Sequence, residues 1–172
     1  MNIALTAKLK TVDDFMAQYE PGDEQQLFSG QSLLAYALSN HDDETRFAIA
    51  TFLLDKGARV DGEDSEKNDV FALLFSRPEQ SFEHTLDLAR RLIDAGADVN
   101  HLDKKGRDSL FAFITIPFMD DALEPLYELW FSQQLTNIEH VDSFGFTPKS
   151  MAEKRANRPR LIAHMEEYLA GH

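Results

Sequence analysis

The sequence contains no cysteine. That excludes a disulfide framework, a thiolate nucleophile and any cysteine-ligated zinc or iron–sulfur centre. Basic residues are scarce, 17 against 30 acids, for a formal net charge of −13. DNA, RNA and anionic membranes need a basic footprint, so this balance argues against nucleic acid and membrane as partners. Long apolar runs are missing too. The stretch 110–119 is one of the longest and is interrupted by Pro117; a membrane helix needs about 20 such residues. The opening Met1-Asn2-Ile3-Ala4-Leu5-Thr6 has no base before Lys8 and Lys10. A secretory signal places its bases first and a longer apolar run after them. The expected location is therefore cytoplasmic.

The rest of the composition is ordinary: 172 residues, 43% hydrophobic and 27% charged. That length fits one domain or one short repeat array. A chain of this size can bury about two thirds of its unfolded surface, so it needs no metal or disulfide to fold. No segment reads as a linker. The acidity is uneven, because the last segment, 143–172, is mildly basic through Lys149, Lys154, Arg155, Arg158 and Arg160. Such asymmetry commonly reflects solvated faces; the sharper reading is a surface for a basic partner.

One period recurs along the chain. Phe52-Leu53-Leu54-Asp55-Lys56-Gly57-Ala58-Arg59-Val60-Asp61 matches Arg91-Leu92-Ile93-Asp94-Ala95-Gly96-Ala97-Asp98-Val99-Asn100 at a spacing of 39. Asp64, Asp103 and Asp142 keep the same step, as do His101 with His140 and Gly106 with Gly145. A degraded third copy runs through Trp130 to Gln134-Leu135, without the Gly-Ala pair. The local physics is shared. A helix runs into a glycine that can close the last turn in the left-handed conformation. A short extended piece and a polar Asp-x-x-Gly turn follow. A second helix then starts, with Ser32, Asp69, Asp108 and Thr147 placed to cap it. Pro148 falls at the first helical position, where its missing N–H costs nothing.

Gly-Ala-Asp-Val-Asn after a helix, with a periodic Asp-x-x-Gly and Thr147-Pro148, resembles the ankyrin repeat family over roughly residues 27–170. The resemblance implies an all-α ankyrin-repeat solenoid of stacked helix-turn-helix units with hairpin-like turns. In that organisation residues 1–26 form N-terminal capping helices. Residues 27–64, 65–103 and 104–142 are repeats, and 143–172 is a C-terminal capping repeat. The period is longer than the family's ~33 residues; the extra residues are expected as inserted loops at 41–45, 78–84 and 117–122. In the first cap, Ile3, Leu5, Leu9, Val12, Phe15, Met16 and Tyr19 recur at helical spacing, with Asp13, Asp14, Gln18 and Glu20 outside.

Motifs for catalysis are weak. The six histidines, His41, His84, His101, His140, His164 and His172, form no HExxH or His-x-His pair. His101 and His140 hold equivalent turn positions, but no third ligand accompanies them. The Asp64, Asp103 and Asp142 ladder is expected to accept backbone N–H bonds in the turns rather than to act as acids. No phosphate-cradling GxxxxGK[ST] or GxGxxG occurs. Neither an enzyme nor a cofactor or metal site is expected.

Phe47, Phe52, Phe71, Phe75, Phe111 and Phe113 fall at core spacings of the repeat helices. Phe118, Phe144, Phe146, Tyr36 and Trp130 are open between core and surface, and Phe118, beside Met119, is either tucked under its loop or a contact point. In the ankyrin family the turn tips and the starts of the following helices line a groove that grips proteins. Carried onto this sequence, the partner-binding candidates are Asn68, Arg77, Lys104, Lys105, Arg107, Phe144 and Phe146, with Phe118, Asp120 and Asp121 in an inserted loop. Exposed aromatics there would be interface anchors. The resemblance thus implies a non-catalytic protein-binding module, monomeric when free. Two forms remain open: an immunity-type inhibitor that blocks a cognate toxin, with the acidic excess suiting a basic one, and a regulatory or scaffolding adaptor.

Overall fold

Most helix starts follow from a capping side chain that the sequence places one residue ahead of the helix. The computed structural model describes residues 1–171, so His172 lies outside the described residues. It contains ten α-helices and one two-stranded antiparallel sheet. The chain forms two compact units, residues 1–98 and 99–172.

Unit 1 holds α1 (Ile3–Leu9), α2 (Val12–Gln18), β1 (Leu27–Phe28), β2 (Gln31–Ser32), α3 (Leu33–Leu38), α4 (Asp43–Asp55), α5 (Val70–Phe75) and α6 (Phe82–Asp94). Its caps are Asn2, Thr11, Ser32, Asp42, Asp69 and Ser81, each accepting an N–H of its own first turn. Each such cap stabilises its helix by about 1 kcal/mol. Ser32 and Asp69 are the expected ones. Asp42 and Ser81 were not expected, and they change the reading of the long connectors. Residues 43–45 and 82–84 are not loop but the first turns of α4 and α6. The extra length of the repeat partly lengthens these helices.

The first cap also packs differently from its pattern. Ile3, Ala4, Thr6 and Ala7 of α1 are buried, and α1 lies against α3. Leu5, Leu9 and Met16 remain 40%, 54% and 44% exposed. The small side chains suit a close helix–helix approach, and that choice turns the leucines outward. Phe15 is fully buried and meets Phe52 and Tyr19 in a ring cluster, with centroids 4.9–6.1 Å apart. Phe71 and Phe75 are buried as expected, whereas Phe47 and Phe52 are only half-buried.

One polar pin ties the unit together. Arg46 is 2% exposed. It donates to the carbonyls of Asn40 (2.6 Å) and Glu79 (2.5 Å) and to the Asp43 carboxylate (3.1 Å). Asn40 in turn donates to the Ala7 and Lys10 carbonyls. Burial lowers the Arg46 pKa, and the Asp43 carboxylate opposes that.

Unit 2 holds α7 (Ser109–Thr115), α8 (Glu124–Phe131), α9 (Pro148–Arg155) and α10 (Pro159–Gly171). Asp108 and Thr147 cap α7 and α9, with Pro148 at N1. Its core is Phe113, Tyr127 and Trp130, with Trp130 edge-on to Phe113 at 5.2 Å. A buried arginine pins this unit as well: Arg158 donates to the carbonyls of Phe113 (2.8 Å) and Ile116 (2.9 Å).

The repeated turns have repeated geometry. Gly57 and Gly96 take positive φ (74° and 94°). Ala58 and Ala97, which follow them, donate to the carbonyls of Leu53 and Leu92, both at 3.0 Å, closing α4 and α6 in the same way. Where Gln134-Leu135 replaces Gly-Ala, side chains hold the chain instead. Leu135 N–H donates to the Tyr168 hydroxyl, and Asn100 bridges to Gln134, Thr136 and Asn137.

Candidate functional site

Each polar turn is keyed by one aspartate, as expected. One oxygen of Asp64 accepts the N–H of Glu66 and Asn68; Asp103 accepts from Lys105 and Arg107, and Asp142 from Phe144 and Phe146, all at 2.8–3.0 Å. In each case the aspartate's own N–H donates to the carbonyl four residues on. The ladder is therefore structural. The fourth residue of the turn lies in the left-handed region: Gly106 (φ 75°), Gly145 (φ 88°) and, unexpectedly, Lys67 (φ 58°). The 39-residue register already aligned Lys67 with the two glycines.

In unit 2 these turns carry most of the expected contact residues. The side chain of Asp142 is fully buried, and its Oδ2 accepts from Arg107 Nε at 2.9 Å. Burial would raise this carboxyl. The Phe146 and Phe144 amides and the Arg107 guanidinium outweigh burial and hold it below the usual carboxylate range. Arg107 lies over both Phe111 (5.2 Å) and Phe144 (5.3 Å). Phe144 is 61% exposed, so one ring face is backed by a fixed cation and the rest meets solvent. Phe146 is half-buried, with Lys154 over its ring at 4.8 Å. Lys104 and Lys105 are exposed on the neighbouring turn. The Lys105 carbonyl accepts from both the N–H and the hydroxyl of Ser143, which joins the two turns.

The α7–α8 connection is less like a free loop than expected. Asp120 accepts from the Tyr127 hydroxyl (2.8 Å) and the Arg160 N–H (2.9 Å). Its carboxylate braces α8 and α10. Asp121 is exposed but bonds the next residue's N–H. Phe118 is half-buried, and its neighbour Met119, 75% exposed, is the apolar tip. Residues 114–120 line a cleft of about 630 Å³ together with Arg155, Asn157 and Arg158.

Asn68 and Arg77 come together in unit 1. They share a polar cleft of about 330 Å³ with Lys8 and Gln31. Arg77 reaches the Ser39 carbonyl only at 3.3 Å and the Ser76 hydroxyl at 3.4 Å.

Among the described residues, Asp43, Glu44 and His84 are the one group of three side chains close enough to share a metal. The sequence reading had placed them in separate loops. Asp43 is already engaged by Arg46, the Ser81 N–H and His84 Nδ1, and the His84 ring is stacked on Phe47 at 3.9 Å. A fixed guanidinium on the shared carboxylate suits an internal brace, not a cation site. Burial pushes the Asp108 carboxyl up to about 7. Its oxygen accepts the Leu110 N–H at 3.0 Å, so this acid serves as the cap of α7.

No family model and no curated protein matches the sequence. Among solved structures, the chain is similar to a crystal structure of a protein from Leptotrichia buccalis C-1013-b described as functionally unknown. The two superpose with a TM-score of 0.85 and 25% identity over 99% of this chain and 93% of that one.

Proposed function

We propose that the chain is an ankyrin-type repeat protein that binds another protein and carries out no chemistry of its own, with the unit 2 turns as its contact surface. The observation that carries this reading is Phe144. It is a large aromatic, 61% exposed, on a turn fixed by a buried aspartate and backed by Arg107. Aromatic and arginine anchors that need no ordering on binding dominate interface energetics. The helix pairs and the aspartate-keyed turns at a spacing of 39 support the repeat reading. The net charge of −13 draws a basic protein from a distance, while the contact turns themselves, with Lys104, Lys105 and Arg107, suit an acidic patch on that partner. An immunity-type inhibitor of a basic toxin is the form that best uses this charge, and an adaptor is the other form.

The test is affinity capture of the tagged chain from lysate, alongside a Phe144→Ala, Arg107→Ala double variant, with washes at low and then high salt. A single stoichiometric protein, retained by the native chain through high salt, lost by the variant and toxic when expressed alone, supports the inhibitor. Several substoichiometric proteins, all lost by the variant, point to the adaptor. Identical capture by both chains contradicts the proposed surface.

A further inference from the structure

We propose that the unit 1 cleft of Lys8, Gln31, Asn68, Ser76 and Arg77 is a binding site for a carboxylate. It concerns unit 1 alone and does not depend on the unit 2 turns binding a partner.

The cleft gathers donors that the protein leaves unused. Arg77 Nε is buried and has no hydrogen-bond partner, which is a costly state for a charged donor. Its other two bonds, at 3.3 and 3.4 Å, are at the long limit. A small rotation of so loosely held a guanidinium presents Nε–H and one Nη–H as a fork, the geometry that matches a carboxylate with two parallel bonds. Among the described residues, neither the Lys8 ammonium nor the Gln31 side-chain amide has a partner.

No acid in the cleft pairs directly with these cations. Asp64 is the carboxylate that lines it, and it is spent on its own turn. One oxygen accepts the Glu66 and Asn68 N–H groups and the other accepts Asn68 Nδ2 at 3.1 Å. Arg46 lies close enough for its guanidinium and that of Arg77 to repel, and Asp43 is taken by Arg46, Ser81 and His84. An anion beside Arg77 relieves that repulsion and satisfies Nε. The charge of the site selects among oxyanions. Two cations beside one retained carboxylate leave a single positive charge, which suits a carboxylate and disfavours a phosphate dianion. The ligand is either a free small acid or an aspartate or glutamate side chain of a protein.

The experiment follows the Arg77 Nε–Hε resonance of the full chain by NMR at constant ionic strength, with chloride as blank. The probes are acetate, acetyl-Gly-Glu-Gly-amide and inorganic phosphate. The expected result is a saturating shift with at least one carboxylate, weakened about tenfold by Arg77→Met as one charged hydrogen-bonding fork is lost. That variant lacks the Nε–Hε signal and is read on the backbone amides of Asn68 and Ser76, which line the cleft. Lys8→Ala and Gln31→Ala, read on the native Arg77 signal, are expected to weaken binding about two- to fivefold. They keep the test valid if Arg77→Met does not fold. Tighter binding of the peptide assigns the site to an acidic side chain, and tighter binding of acetate assigns it to a free acid. No saturating shift beyond chloride, or phosphate bound as tightly as the carboxylates, overturns the proposal.

Discussion

Lys67 occupies, at φ 58°, the position that Gly106 and Gly145 fill in the other two turns. A side chain in the left-handed region costs about 1–2 kcal/mol, and glycine's extra unfolded-state entropy offsets about half of that. Lys67→Gly is therefore expected to stabilise the protein by about 0.5–1 kcal/mol in urea unfolding. Gly106→Ala is expected to destabilise it, since the added Cβ would sit at φ 75°, in the left-handed region. The position was readable from the repeat register; its occupant was not, because a local conformation can be imposed on an unfavourable residue by bonds on either side. Asp108 supplies a pH test. Its folded pKa, raised to about 7, lies above the unfolded value of about 4. The native state thus holds a proton that the unfolded state lacks between those values. The penalty is fully present above pH 7 and fades as pH falls toward 4. Asp108→Asn, which keeps a capping oxygen, is expected to raise the melting temperature at pH 8 and to leave it nearly unchanged at pH 4. Asp142 has the opposite sign. Its depressed pKa gives stability that is present above about pH 4 and is lost as pH falls through the folded value.

Among elements, the buried arginines matter most. Arg46 joins the starts of α4 and α6 through two carbonyls and one carboxylate. Arg46→Met leaves those acceptors unpaired, and a loss of about 2–4 kcal/mol is expected in chemical unfolding. Amide exchange should rise first at residues 40–43 and 79–81. A loss below about 0.5 kcal/mol would show that water replaces the pin at little cost. The helix ends at Gly57 and Gly96 and the caps at Ser32, Asp69, Asp108 and Thr147 were legible because each is a local bond between residues a few positions apart. Two features were not. The connectors at 41–45 and 78–84 looked like inserted loops because Asp42 and Ser81 were overlooked as caps. The buried side of α1 was misassigned because periodicity gives a face but not its neighbour, and α3 accepts Ala4 and Ala7 rather than Leu5 and Leu9. Arg46 and Arg158 were invisible for a related reason. Nothing in a sequence says that a charged side chain will be buried by carbonyls far along the chain.

For the whole molecule, charge and surface decide what binds. With −13 net charge, the on-rate for a basic partner should fall steeply as salt rises, while dissociation changes little. An on-rate independent of salt would remove charge steering. The aromatic and basic content of the unit 2 turns was legible only through the ankyrin resemblance, whose turn-tip and helix-start positions fall on Phe144, Phe146, Lys104, Lys105 and Arg107. The exposure of Met119 in place of Phe118 was not, since neighbouring apolar residues in a connector are told apart only by packing. The bracing role of Asp120 depends on Tyr127 and the Arg160 amide, partners that spacing alone does not reveal. The deciding measurement is the affinity of a captured partner for the native chain and for Phe144→Ala, with melting followed in parallel. A weakening of about tenfold or more at an unchanged melting temperature is predicted. Unchanged affinity, or a weakening that only follows a lower melting temperature, would contradict a binding role for the unit 2 turns.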